Sequence, residues 1–192
     1  MIDSESNLSI ERLSPSLGLA VEGFSSADLN ANPARQVIRD LLEQHQVVVI
    51  RNQSLNAHQL REFTRYFGPL FHHHADEGVL YAENLPEVLE MRKEPDGNRL
   101  FGGSDWHADV TFRNPAGYVS VLQSVILPPA GGDTGFVSTI AALDALSDGL
   151  RTFLEKLKAV HSYSGPGQVD HPTETAVHPV VRTHPLDGRQ GI

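Results

Sequence analysis

The 192-residue sequence contains no cysteine. Disulfides, cysteine-ligated zinc, iron–sulfur clusters and thiol nucleophiles are therefore excluded, and any metal must be held by His, Asp or Glu. Long hydrophobic runs are also missing, so no segment reads as a membrane span. The start, Met1 to Ser6, is acidic and polar and lacks the basic, then apolar, pattern of a signal peptide. A cytoplasmic location is expected on those grounds. Positive charge is scarce, with 15 basic against 24 acidic residues and a formal net charge of −9. That balance argues against nucleic-acid and anionic-membrane partners. Internal repeats and low-complexity stretches are absent. What is there, 40% hydrophobic and 20% charged residues, fits one soluble globular domain over 1–192 with a sizeable core.

The patterning predicts a first strand at Leu17 to Val21. A helix follows from Pro33 to Gln46, with Val37, Ile38, Leu41 and Leu42 at helical spacing. Val47 to Ile50 is β-branched throughout and reads as a buried strand. Asn56 can cap a helix from Ala57 to Phe67 that Gly68-Pro69 stops. Further strands are predicted at Val88–Met91, Tyr118–Leu127, Ala159–Tyr163 and Val177–Thr183, and one or two helices over Ser138–Leu157 with a break near Ser147-Asp148. The order is not a regular βαβ alternation, so a doubly wound sheet is disfavoured. An α+β chain with a mainly β core, an antiparallel sandwich carrying helices, fits better. Leu186 to Arg189 reads as a hairpin turn, and the returning strand would begin near Arg189. A domain ending there would leave an open sheet edge, so the fold is expected to be incomplete at its C-terminus.

The main chemistry-bearing feature is Trp106-His107-Ala108-Asp109. In a strand, residues two apart share a face, so imidazole and carboxylate can reach one metal. Two His and one carboxylate on one face of an octahedron is the arrangement of non-haem Fe(II) oxygenases. With ten histidines, a His-x-Asp pair is expected by chance about 0.6 times in such a chain. A second pair, His74-Ala75-Asp76, reads better as a solvated loop after Gly68-Pro69. The flanks favour the first: Gly102-Gly103-Ser104-Asp105 is a flexible approach, and Val110-Thr111-Phe112 continues as strand. Downstream, Gly131-Gly132-Asp133-Thr134 is a turn. Read alone it is more often only that, with Asp133 capping its own backbone; the alternative makes Thr134 a hydroxyl donor to an anion.

These residues carry a family resemblance. Trp106 to Phe112, then Gly131-Gly132-Asp133-Thr134, then His178-Pro179-Val180-Val181-Arg182-Thr183-His184-Pro185 resemble, in order and spacing, the taurine dioxygenase family of Fe(II)/2-oxoglutarate-dependent enzymes. Arg65-Tyr66-Phe67-Gly68-Pro69-Leu70 resembles the family's segment after its second helix, and the likeness runs from about Leu17 to Ile192. The resemblance implies a double-stranded β-helix, or jelly roll, of the clavaminate synthase type with flanking helices. His107 and Asp109 would be two iron ligands, Thr134 a contact to bound 2-oxoglutarate, and His73 a substrate contact; His73 reads equally as one exposed member of the His72-His73-His74 run. His178 and His184 match segments before the family's distal histidine and read as structural. The distal histidine and the keto-acid arginine would lie beyond position 192, making this chain the N-terminal two-thirds of the fold.

The implied reaction hydroxylates a small anionic substrate with dioxygen while 2-oxoglutarate is decarboxylated to succinate. Gly103 replaces an expected polar residue, Asp76 an expected aromatic, and Ser164–Ala176 is short, which points away from taurine itself. Sulfonates, sulfate esters and aryloxyalkanoates are the substrate classes the resemblance leaves open. Two other readings stay open beside it: a catalytically silent fragment or assembly partner, and a non-oxidative divalent-metal-binding jelly roll. Half a jelly roll leaves strands unpaired, so self-association is expected.

Overall fold

A computed structural model describes residues 8–24, 32–74, 80–92, 105–164 and 174–192. Gly103, Ala75, Asp76 and much of Ser164–Ala176 lie outside the described residues. The chain divides into two compact units. The first comprises Met1–Ser54, Ser124–Lys158 and Pro179–Ile192, the second Leu55–Gln123 and Ala159–His178.

The first unit is built on a three-stranded sheet. Strand β1 (Ser9–Arg12), absent from the sequence reading, pairs antiparallel with β2 (Leu19–Glu22) in the register Ser9↔Glu22 to Arg12↔Leu19. Helix α1 (Asn32–His45) then carries the chain across to β3 (Val48–Ile50), which pairs parallel with β2. A parallel pair needs such a crossover, so this is a single βαβ unit within a chain that otherwise lacks the alternation. Gln46 ends α1 with φ 67, and its N–H donates to the Leu42 carbonyl at 2.7 Å, a left-handed helix terminus. The central strand β2 buries Leu19, Ala20 and Val21. Strand β3 was expected to be buried but is only half-buried, because it lies at the sheet edge.

The break expected near Ser147 is present. Helix α3 (Thr139–Asp144) is capped by Ser138 Oγ, which accepts from Ala141 N at 3.1 Å, and α4 (Asp148–Leu154) by Ser147 Oγ, which accepts from Leu150 N at 3.4 Å. Serine at each N-cap satisfies an orphan donor and restarts the helix. Leu143 of α3 is fully buried.

In the second unit, α2 (Ala57–Arg65) starts with a reciprocal capping box. Asn56 Oδ1 accepts from Gln59 N at 2.8 Å, and Gln59 Oε1 accepts from Asn56 N at 2.9 Å. A short hairpin of β4 (Leu80–Tyr81) and β5 (Leu89–Glu90) follows. Strands β6 (Lys158–Tyr163) and β7 (Glu174–Pro179) pair with each other and, apart from their Lys158 and Pro179 ends, belong to this unit. Its interior contains Phe63, Phe67, Val88, Ala176 and His178. An aromatic group lies beside it: the His74 ring stacks on Tyr163 at 4.6 Å, and Phe112 sits 5.0 Å from Tyr163.

Three strand expectations are corrected. Val177–Thr183 is not one strand: β7 stops at Pro179, which has no N–H to continue a ladder, and β8 (Arg182–Thr183) turns back in the first unit to pair with β9 (Gln190–Gly191). Tyr118–Leu127 forms no strand, because no ladder partner for it occurs among the described residues; Leu122, Val125, Ile126 and Leu127 are exposed. His107–Phe112 is not a strand but leads into a turn at Asp109–Phe112, where Val110 has φ 55.

Candidate metal centre

In the second unit, Val110 has φ 55. A β-branched side chain in the left-handed region is uncommon and bends the chain sharply. Arg113 N donates to the Val110 carbonyl at 3.4 Å, closing the turn. The bend excludes the strand expected here, and the two predicted ligands lie side by side just before it. His107 Nε2 lies 3.2 Å from Asp109 Oδ1, and both side chains are about half exposed.

Both groups are held from behind. His107 Nδ1 is 2.8 Å from the Asp105 carbonyl oxygen. A carbonyl can only accept, so Nδ1 carries the hydrogen and Nε2 is the atom aimed at Asp109. The other carboxylate oxygen, Asp109 Oδ2, accepts from Ser120 Oγ at 2.5 Å. Close approach of the returning chain makes this possible. A Cβ at Gly117 would lie 3.3 Å from the Asp109 carbonyl oxygen and 3.3 Å from Val110 Cβ.

The turn is also tied to β7. The His178 ring is buried, and its Nε2–H is shared between the carbonyls of Thr111 (2.8 Å) and Arg113 (3.0 Å). Arg113 grips Glu174 with two hydrogen bonds, of 2.6 and 2.7 Å. That fork raises the guanidinium pKa and lowers that of the carboxyl. His178 therefore has the structural role expected of it, as does His184, which lies 3.1 Å from Asp187 in the β8–β9 turn of the first unit.

The donor set matches a divalent cation in spacing. Bonds of about 2.1 Å meeting at a right angle put two donor atoms about 3.0 Å apart, close to the 3.2 Å observed. The carbonyl behind the imidazole and the hydroxyl behind the carboxylate are the kind of outer contacts that orient metal ligands. With Nδ1 protonated, Nε2 and Oδ1 face each other as two electron-rich atoms that a shared cation or a proton must bridge. The pair fits two adjacent positions of a metal. Among the described residues, no group of three His, Asp or Glu side chains able to hold a metal occurs.

His73 belongs to the same unit. Its backbone N–H donates to the Pro86 carbonyl at 2.9 Å, and its carbonyl accepts from Tyr81 Oη at 3.0 Å. Burial lowers its pKa, the nearby Asp109 charge opposes that shift, and His74 adds to it. Desolvation thus disfavours the charged imidazole beside the candidate pair. Thr134 lies in the first unit, on an exposed irregular stretch whose Gly131 and Gly132 have φ 74 and 76. Ser120, Val110 and the Arg113–Glu174 fork were not singled out from sequence. The sole signal for Ser120 is a polar residue interrupting the apolar run Tyr118–Leu127.

Comparison with known proteins identifies the family. Residues 9–192 match the family model described as taurine catabolism dioxygenase TauD, TfdA family, and the chain belongs to that family. It is 33% identical over 200 residues to an alpha-ketoglutarate-dependent sulfonate dioxygenase of Saccharomyces cerevisiae, covering 93% of this chain and 47% of the relative. It is 32% identical over 206 residues to an alpha-ketoglutarate-dependent 2,4-dichlorophenoxyacetate dioxygenase of Cupriavidus pinatubonensis, covering 93% and 70%. A crystal structure of a taurine dioxygenase from Burkholderia xenovorans superposes with a TM-score of 0.75 at 27% identity, covering 96% of this chain and 61% of that one. The chain spans about half to two-thirds of the length of several curated relatives it matches.

Proposed function

We propose that this chain carries two metal ligands, His107 and Asp109, of an Fe(II)- and 2-oxoglutarate-dependent dioxygenase domain of the double-stranded β-helix type. The observation that carries the reading is the His107–Asp109 pair, at cis-ligand spacing and held from behind by Asp105 and Ser120. Its support is family membership over residues 9–192. In the intact protein, bound iron supplies the oxidising power that couples decarboxylation of 2-oxoglutarate to hydroxylation of a substrate by dioxygen. The residues of this chain bind and orient. His107 and Asp109 hold the metal; Thr134 donates a hydrogen bond to a 2-oxoglutarate carboxylate; His73, whose pKa burial lowers, hydrogen-bonds the substrate.

The substrate class is a small organic acid or its ester: a sulfonate, a sulfate ester or an aryloxyalkanoate. The names of the yeast and Cupriavidus relatives span two of those three classes. No helix among the described residues is long and apolar enough to cross a membrane, and the reaction as proposed takes place in the cytoplasm. The exposed side chains of Leu122, Val125, Ile126 and Leu127 support self-association of this 192-residue chain.

Anaerobic titration with Fe(II) and 2-oxoglutarate tests the assignment through the weak visible charge-transfer band of the chelated keto acid. The band is expected in a chain extended to the length of its relatives and absent from its His107→Ala and Asp109→Ala variants. A band that persists in both variants removes these residues from the site. Binding of divalent metal without the band favours a non-oxidative metal protein.

A further inference from the structure

We propose that Ser120 is the positioning residue of the candidate centre, fixing the Asp109 carboxylate so that Oδ1, and not Oδ2, is presented beside His107 Nε2. The inference rests on the metal reading given above, but its main observation is independent of any metal. Asp109 is half exposed in a turn, where a carboxylate ordinarily samples several side-chain rotamers. Here one oxygen is taken by the Ser120 hydroxyl at 2.5 Å, a short charge-assisted hydrogen bond. The other oxygen is thereby turned to the imidazole at 3.2 Å.

The fold makes this contact by a specific route. Val110, with φ 55, turns the chain back on itself. Gly117 lets the returning chain pass close to Asp109, since any side chain at 117 would meet the Asp109 carbonyl oxygen and Val110 at 3.3 Å. Three residues later Ser120 reaches the carboxylate. Ser120 is itself exposed, so its hydroxyl is not needed to satisfy the interior, and its replacement leaves folding intact. Its role acts through Asp109, in the way that outer contacts orient metal ligands.

The test compares the wild-type chain with Ser120→Ala and Ser120→Thr. In the metal-free protein, three-bond scalar couplings report the χ1 populations of Asp109. One dominant rotamer is expected in the wild type and in Ser120→Thr, which keeps the hydroxyl, and averaging over several in Ser120→Ala. Mn(II) titration followed by water-proton relaxation is expected to show roughly tenfold weaker binding in Ser120→Ala, with rescue by threonine. A single Asp109 rotamer retained in Ser120→Ala overturns the proposal whatever the metal does. If the rotamer averages as expected but Asp109→Ala leaves Mn(II) affinity unchanged, Ser120 still positions Asp109 and it is the metal reading that fails.

Discussion

Among the described residues, each unit holds an aspartate in contact with an imidazole, and the two pairs differ in what else the carboxylate meets. In the first unit, Asp187 lies 3.1 Å from His184 Nδ1. Its Oδ1 also accepts from Arg189 N at 2.9 Å, and its Oδ2 accepts from the Arg189 guanidinium at 2.8 and 2.6 Å. The Arg189 hydrogen bonds lead in pulling its pKa down to about 2. The same guanidinium reaches the Glu43 carbonyl, which pins the β8–β9 turn to the end of α1. In the second unit, Asp109 has a serine hydroxyl where Asp187 has a guanidinium. A carboxylate neutralised by an arginine fork is committed to the fold. One met by a hydroxyl and an imidazole keeps its charge available for a cation. The open cleft lined by Asp40, Glu43, Gln44, Asp187 and Arg189 is thus acidic in composition yet already occupied by its own arginine.

The contrast can be broken by substitutions that separate stability from metal binding. Leu143→Ala removes a fully buried side chain of the first unit and is expected to cost about 2–5 kcal/mol in urea unfolding. The Mn(II) affinity of the folded fraction should stay at the wild-type value. His178→Ala strips one donor from two carbonyls of the site turn, at a cost of about 1–3 kcal/mol; here Mn(II) binding should weaken as well. Equal effects of the two variants on affinity would erase the distinction between a structural and a functional unit. Asn56→Ala removes the α2 cap and should cost about 1 kcal/mol, readable as a shift in urea midpoint with unchanged slope.

The smallest effect is in pH dependence, and its sign follows from the shifts. Burial holds the folded pKa of His73 below its ordinary 6.5. As pH falls through 6.5, the unfolded chain takes up that proton first, so stability declines on the acid side of 6.5. Asp187 also has a depressed folded pKa, so its contribution is full above 3.8 and is lost as pH falls toward about 2. Thermal melts from pH 7 to 3 should therefore show an early loss that His73→Gln flattens and a late loss that Asp187→Asn flattens. A His73→Gln melt with the wild-type slope between pH 7 and 5 would contradict the burial of His73.

Much of this architecture is legible in the sequence where the signal is local. Asn56 with Gln59, and Ser138 and Ser147 ahead of their helices, mark helix starts through hydrogen bonds spanning three residues. The Leu186–Arg189 turn is equally local. Strand readings fare worse because a strand depends on a partner. Tyr118–Leu127 has the β-branched and aromatic residues of a strand but no ladder among the described residues, and β1 has little apolar character yet pairs along four residues with β2. At the site, residue types and spacing point to His107 and Asp109. They do not show that a left-handed Val110 reverses the chain just after Asp109, nor that Ser120, 11 positions on, holds the second oxygen. Those contacts arise from chain reversal, and composition and periodicity carry no trace of it.

The most direct measurement is residue-resolved nuclear magnetic resonance of the chain during substoichiometric Mn(II) addition. Paramagnetic broadening should centre on His107, Asp109 and their turn, with His184 and Asp187 of the first unit left sharp. Broadening centred on Asp40, Glu43 and Asp187, or none at His107 and Asp109 at saturating metal, would contradict the assignment of the metal pair to the second unit.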